Sequence, residues 1–143
     1  DTAYNVVREE GGSIPMTVEA PPAPPEGVVR IGLAGGVAKP SSGYAFEWIQ
    51  RHAAAITQAL LRGEVPQPWK RSTWMDALFV DVLRRHPEDG PGFFRAIFEG
   101  NDADRIARFM TETATRRDLL GIMRSLPASP FLRAARRRAM TGL

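Results

Sequence analysis

Cysteine is absent from the 143 residues, which excludes disulfides, thiolate metal sites and a cysteine nucleophile, and fits a reducing compartment such as the cytoplasm. Histidine occurs only twice, at His52 and His86, and neither is read as having a second metal ligand at useful spacing, so no metal site is expected. No apolar run approaches the roughly 18 residues that a spanning helix needs. The opening stretch DTAYNVVREE is polar and acidic, unlike the basic-then-apolar pattern of a secretory signal. It also starts on Asp rather than Met, which reads as a processed or excised piece. Lysine is scarce as well, two against seventeen arginines, a bias that reads as codon composition rather than function.

What is present is an ordinary globular balance, 43% hydrophobic and 24% charged, in a chain of one-domain size. The net charge of +3 is unevenly spread. Residues 101–143 hold nine arginines against four acids, while residues 1–100 hold ten basic residues against twelve acids. A basic end suits an anionic surface, phospholipid or nucleic acid, and equally a solvated face.

The period of the apolar residues predicts short strands followed by helices. Tyr4–Arg8 and Ser13–Val18 read as strands about a Gly11-Gly12 turn, with Pro15 confining the second to an edge. APPAPPE, residues 20–26, reads as a stiff connector, and VVRIGL, residues 28–33, as a buried strand. A long helix is expected from about Ser42 to Arg62, with Phe46, Ile49, Ala53, Ile56 and Leu60 on its inner stripe. Capping-box spacing at Thr73/Asp76 and Thr115/Asp118 starts two further helices, with Met75, Leu78, Phe79, Val82 and Leu83 lining the inner face of the first. Phe93 to Phe98 marks a short helix. Asn101 is placed to cap the next, and Ser129-Pro130 opens a last one, FLRAARRRAM. The division expected is residues 1–66, strands plus the long helix, and 67–143, a helical subdomain.

One segment combines features suited to chemistry: a strand, then Gly35-Gly36-Val37-Ala38-Lys39-Pro40-Ser41-Ser42-Gly43-Tyr44, then a helix. Glycines let a ligand approach the backbone, and unpaired amides at a helix start favour an anion, with Lys39 adding charge. The same arrangement also serves packing alone, and it is neither a Walker loop nor a dinucleotide fingerprint.

This segment, RIGLAGGVAKPSSGYAFEWIQ, resembles the second flavin-contacting stretch of bacterial lycopene cyclases, a Gly-rich loop followed by a P-S/T-S/T-G-Y run. VVREEGGSIPMTV is similar to that family's L-R-E-E-x-G-x-I/L-P-M/I-T stretch, and FFRAIFEGN, RFM and SLPASPFLRAA to its helical end. The resemblance implies an α+β fragment of an α/β flavoprotein fold, like that of the aromatic hydroxylases. It implies reduced FAD as cofactor, contacted by Gly35, Gly36, Lys39, Pro40, Ser41, Ser42, Gly43 and Tyr44. Relatives with Gly-Asp at the end of the strand differ from Gly32-Leu33 here, so Leu33 carries no polar role.

The reaction implied is redox-neutral β-ring closure at the ends of lycopene, an isomerase-type step of carotenoid biosynthesis. A carbocation forms there and needs nearby negative charge, which the anionic reduced flavin would supply. The family's F-x-E-E-T motif and an ADP-binding fingerprint are absent, so the chain alone is expected to be inactive and to need an N-terminal flavin-binding part of the same protein. Glu9 and Glu10 are the acid–base candidates within the chain; strand neighbours point to opposite faces, so at most one of them serves. Tyr44 and Trp48 either line a substrate channel or pack. The last helix either rests on anionic head groups, through Phe131, Leu132, Arg133 and Arg136 to Arg138, or is solvated; the first would place the protein on the inner face of the membrane. Rival readings are an FAD-dependent polyprenyl reductase or monooxygenase, and, in another class, a basic helical membrane- or nucleic-acid-binding module. Nucleic acid is disfavoured, since no aromatic interleaving or reader motif accompanies the arginines.

Overall fold

A computed structural model describes residues 4–69 and 73–141. The described residues contain no strand and no sheet, which overturns the α+β expectation. Six α-helices carry the fold: α1 Phe46–Leu61, α2 Trp74–Arg85, α3 Gly90–Glu99, α4 Ala103–Thr111, α5 Arg116–Ser125 and α6 Ala128–Thr141. Short 3-10 turns occupy Gly32–Gly35 and Pro87–Asp89.

The expected strands fail for lack of partners. Val6, Val7, Ile14, Val28, Val29 and Ile31 are all exposed, and no second edge meets their backbone. A β-favouring sequence forms a strand only where a neighbour takes its hydrogen bonds and covers its side chains. Residues 4–30 instead form an irregular arm, and residues 32–35, the end of the expected third strand, coil into the 3-10 turn.

Helix α1 begins four residues later than the periodicity indicated, because Ser42 and Gly43 both donate backbone hydrogen bonds to the Lys39 carbonyl (3.2 and 2.7 Å) and form a turn first. Its buried face is rotated from the expected one. Trp48, His52, Ile56 and Ala59 are covered, while Phe46, Ala53 and Leu60 are exposed. The cause is Trp69, whose ring lies 5.4 Å from both Trp48 and His52.

Helices α2 to α6 build the core. Both capping boxes form: the Thr73 and Thr115 hydroxyls accept from the Asp76 and Asp118 amides, and each aspartate answers its cap backbone. Such caps contribute about 1 kcal/mol each. At α4 the cap is Asp102 rather than Asn101, which donates instead to Ile97 O and Ser125 Oγ and ties α3 to α5. α2 packs on α6, and α3 on α4 and α5. Between them Leu78, Phe79, Val82, Phe93, Ile97 and Ile122 are buried. Phe131 closes the cluster, its ring 5.7 Å from Phe79 and 5.6 Å from Phe93.

The fold's pH response comes in two steps. Burial pushes the His52 imidazole below its usual value of 6.5, against the opposing pull of the Gln67 backbone. The folded state therefore prefers neutral His52, and that contribution is lost as pH falls below about 6.5. Asp76, Asp81 and Asp118 are all held below the usual 3.8, so their contributions persist until pH drops below about that value. Thermal melts across pH 3–8 are expected to show both declines, and His52→Phe to remove only the upper one. A flat melting temperature between pH 7 and 5 would contradict the role of His52.

Candidate functional site

The glycine-containing bend does not present its backbone outward. Lys39 N donates to Tyr44 O at 2.7 Å, Gly36 N to Leu33 O at 3.0 Å, and Val37 N to Gly32 O at 3.3 Å. Gly43 has φ 72°, a left-handed conformation, and a Cβ there would stand 3.0 Å from Ile14 Cγ2. At Gly36 a Cβ would meet Pro21 Cδ at 2.9 Å. The space that the glycines leave is thus filled by the arm, through Ile14, Met16 and Pro21. Pro40 is buried, and the Ser42 hydroxyl accepts from the Tyr44 amide. Arranged in this way, residues 35–44 do not fit a flavin.

Lys39 points inward, to the other side of the bend. It is 4% exposed, and its Nζ lies 3.1 Å from Asp76 Oδ1 on α2 and 3.0 Å from Glu112 Oε1 at the end of α4. The ammonium also sits over the Phe109 ring, 4.9 Å from its centre. Ser41 Oγ donates to Asp76 Oδ1 at 2.5 Å, and Thr73 Oγ1 to Asp76 Oδ2 at 2.7 Å. Burial alone would raise the Asp76 pKa. The Lys39 charge and the bonds from Ser41, Thr73 and Lys39 outweigh it and hold the carboxyl below the usual range. Asp76 is a fixed anion.

This cluster closes one end of a cavity of about 770 Å³. The rest of the wall is largely apolar and includes Leu78, Phe79, Ile97, Ile122, Leu126 and Phe131. A volume of this size with few, convergent polar groups is typical of small-molecule sites. Glu112 stands out on its own account. It adopts φ 58°, and it is the sole non-glycine residue with positive φ among the described residues. A glutamate in that region costs on the order of 1 kcal/mol, which its approach to Lys39 helps to offset.

Of the eight residues expected to contact flavin, Lys39 and Ser41 line the cavity. Gly35, Gly36, Pro40, Ser42, Gly43 and Tyr44 shape the bend behind them and do not line it. Glu9 and Glu10 lie on the exposed arm, where Glu10 pairs with Arg8, and neither reaches the cavity. Trp48 packs on Trp69 rather than lining a channel. The sequence reading finds no companion ligand for His86, whereas the structure brings Glu88 and Asp89 to it, the three ligand atoms lying within 4.8 Å of one another. Two site residues were missed. In the sequence Asp76 signals only a helix cap. Glu112 left one trace in the sequence, an α4 that ends with neither Gly nor Asn to take the left-handed position.

A family model described as lycopene cyclase protein matches residues 2–136. No curated protein and no solved structure matches the chain.

Proposed function

This chain belongs to the lycopene cyclase family, and from that premise we propose that its cavity holds one end of a linear carotenoid, lycopene or a close relative, while that end closes into a β-ring. The observation that carries this reading is an apolar cavity lined at one end by the buried Asp76 carboxylate and the half-buried Glu112. A polyene has only hydrocarbon surface to offer, and burying it gains roughly 25 cal/mol per Å². Ring closure passes through a tertiary carbocation, formed when a terminal double bond gains a proton, attacked by the neighbouring double bond, and quenched by loss of a proton. No electrons are gained or lost overall.

Negative charge fixed in a water-poor cavity stabilises such a cation without reorganising, often the largest catalytic contribution. Asp76 is suited to that task and unsuited to giving a proton, since its environment keeps it ionised. Glu112 sets a second carboxylate at the same end of the cavity, 3.0 Å from the Lys39 ammonium. Lys39 is then a positioning residue that keeps both carboxylates at the cavity wall.

Reduced FAD, which the resemblance implies, is compatible with this reading only if the arm at Ile14–Pro21 leaves the glycine face. The chain as it stands is expected to elute from gel filtration free of added FAD. Flavin retained at one per chain would show that the bend opens readily. The reading itself is tested by expressing the open reading frame that encodes this chain in lycopene-accumulating cells and separating the pigments by chromatography. Monocyclic or bicyclic products are expected; lycopene left wholly linear would defeat the reading.

A further inference from the structure

The cavity has an open side, and its rim has an unusual composition. Trp74, Met123 and Leu132 line the cavity wall and are at the same time 54%, 53% and 62% exposed, which places all three at the mouth. Phe131, expected at the surface with Leu132, is instead part of the core. Arg137, expected to face outward, is turned to Asp81 of α2 at 3.0 Å.

The two helices flanking the mouth repeat one pattern. On α5, Arg116, Leu120 and Arg124 follow at four-residue steps and are all exposed; on α6, Leu132, Arg136 and Met140 do the same. Residues four apart share a helix face, so each helix displays a stripe mixing arginine with large apolar side chains. No acid interrupts either stripe: α6 has none, and the single acid of α5, Asp118, is buried beneath Arg108. Exposed apolar side chains beside arginines, on two acid-free helix stripes next to a cavity, match a lipid surface carrying negative head groups. No helix among the described residues is long and apolar enough to cross a membrane, so the contact is peripheral.

We propose that the mouth ringed by Trp74, Met123 and Leu132 docks on an anionic bilayer, with Arg116, Arg124 and Arg136 on the head groups, so that an apolar substrate passes from lipid into the cavity without crossing water. The lipid contact stands on this surface alone; only the passage of a polyene rests on the cavity reading.

Docking is measured without substrate, by flotation of the full chain with vesicles of phosphatidylcholine alone or with about 30% phosphatidylglycerol. Binding is expected only with the anionic lipid. Each arginine replaced by Gln should weaken it about fivefold, the triple variant Arg116→Gln/Arg124→Gln/Arg136→Gln about a hundredfold, and salt near 0.5 M should abolish most of it. Brominated lipid should quench the exposed Trp74 in the bound chain, and the quenching should vanish in Trp74→Phe. Equal binding to neutral vesicles, no binding at all, or binding without Trp74 quenching would each overturn the proposal. Concentration-dependent dimers blocked by Leu132→Ser would likewise overturn it and assign the rim to a second copy of the chain. Since the vesicles hold no carotenoid, docking without ring closure in cells would sink only the functional reading, and ring closure without docking only this one.

Discussion

Lys39→Met loses about 3–5 kcal/mol of stability, because it leaves the Asp76 carboxylate buried, 2% exposed, with its cationic partner gone. In a chain of this length that lowers the melting temperature by roughly 10 °C. The loss comes from the stranded charge rather than from any large net gain in forming the pair, since a buried ion pair often does little better than apolar residues of the same volume. The double variant Lys39→Met/Asp76→Asn therefore recovers more than half of the loss. Chemical denaturation of the four proteins in the cycle checks this. If the double variant is as unstable as Lys39→Met, the charge explanation is wrong and packing of the lysine stem is responsible.

Ile122→Trp is expected to lower ring closure in lycopene-accumulating cells by at least about a hundredfold while costing only about 1–3 kcal/mol in overpacking. Ile122 is buried where α5 meets the cavity, so an indole there extends into the space proposed to hold the polyene end. Pigment chromatography reads the first quantity and thermal melting the second. Full activity in a folded Ile122→Trp protein would mean that the hydrocarbon does not enter this cavity, whatever the family's reaction.

The helical half of the fold could be read from sequence because its signals are local. Thr73/Asp76 and Thr115/Asp118 announce helix starts within four residues, and Leu78, Phe79 and Val82 fall on one face by spacing alone. The strands misled for the opposite reason. A strand is stabilised by what lies beside it, and for Val6, Val7 and Val28 to Ile31 nothing does among the described residues. The covered face of α1 departs from the one its periodicity indicates because Trp69, seventeen residues beyond His52, decides which side is covered. The site shows the same division. Lys39 was visible as a charge in a glycine-rich segment, but the choice between an outside ligand and an inside carboxylate rests on Glu112, 73 residues away. Asp76 was visible only in its local duty as a cap. Its bond to Ser41, across 35 residues, is invisible to periodicity.

That double duty of Asp76 has a dynamic consequence. One carboxylate both ends the unpaired stretch at the start of α2 and anchors Lys39 and Ser41, so neither contact is free to break alone. Undocking the bend frays the helix, and fraying the helix loosens the bend. Deuterium uptake at the first-turn amides of α2 and at the amides of residues 39 to 43 is thus expected to follow one common opening rate, with the two segments behaving as a single foldon although thirty residues separate them.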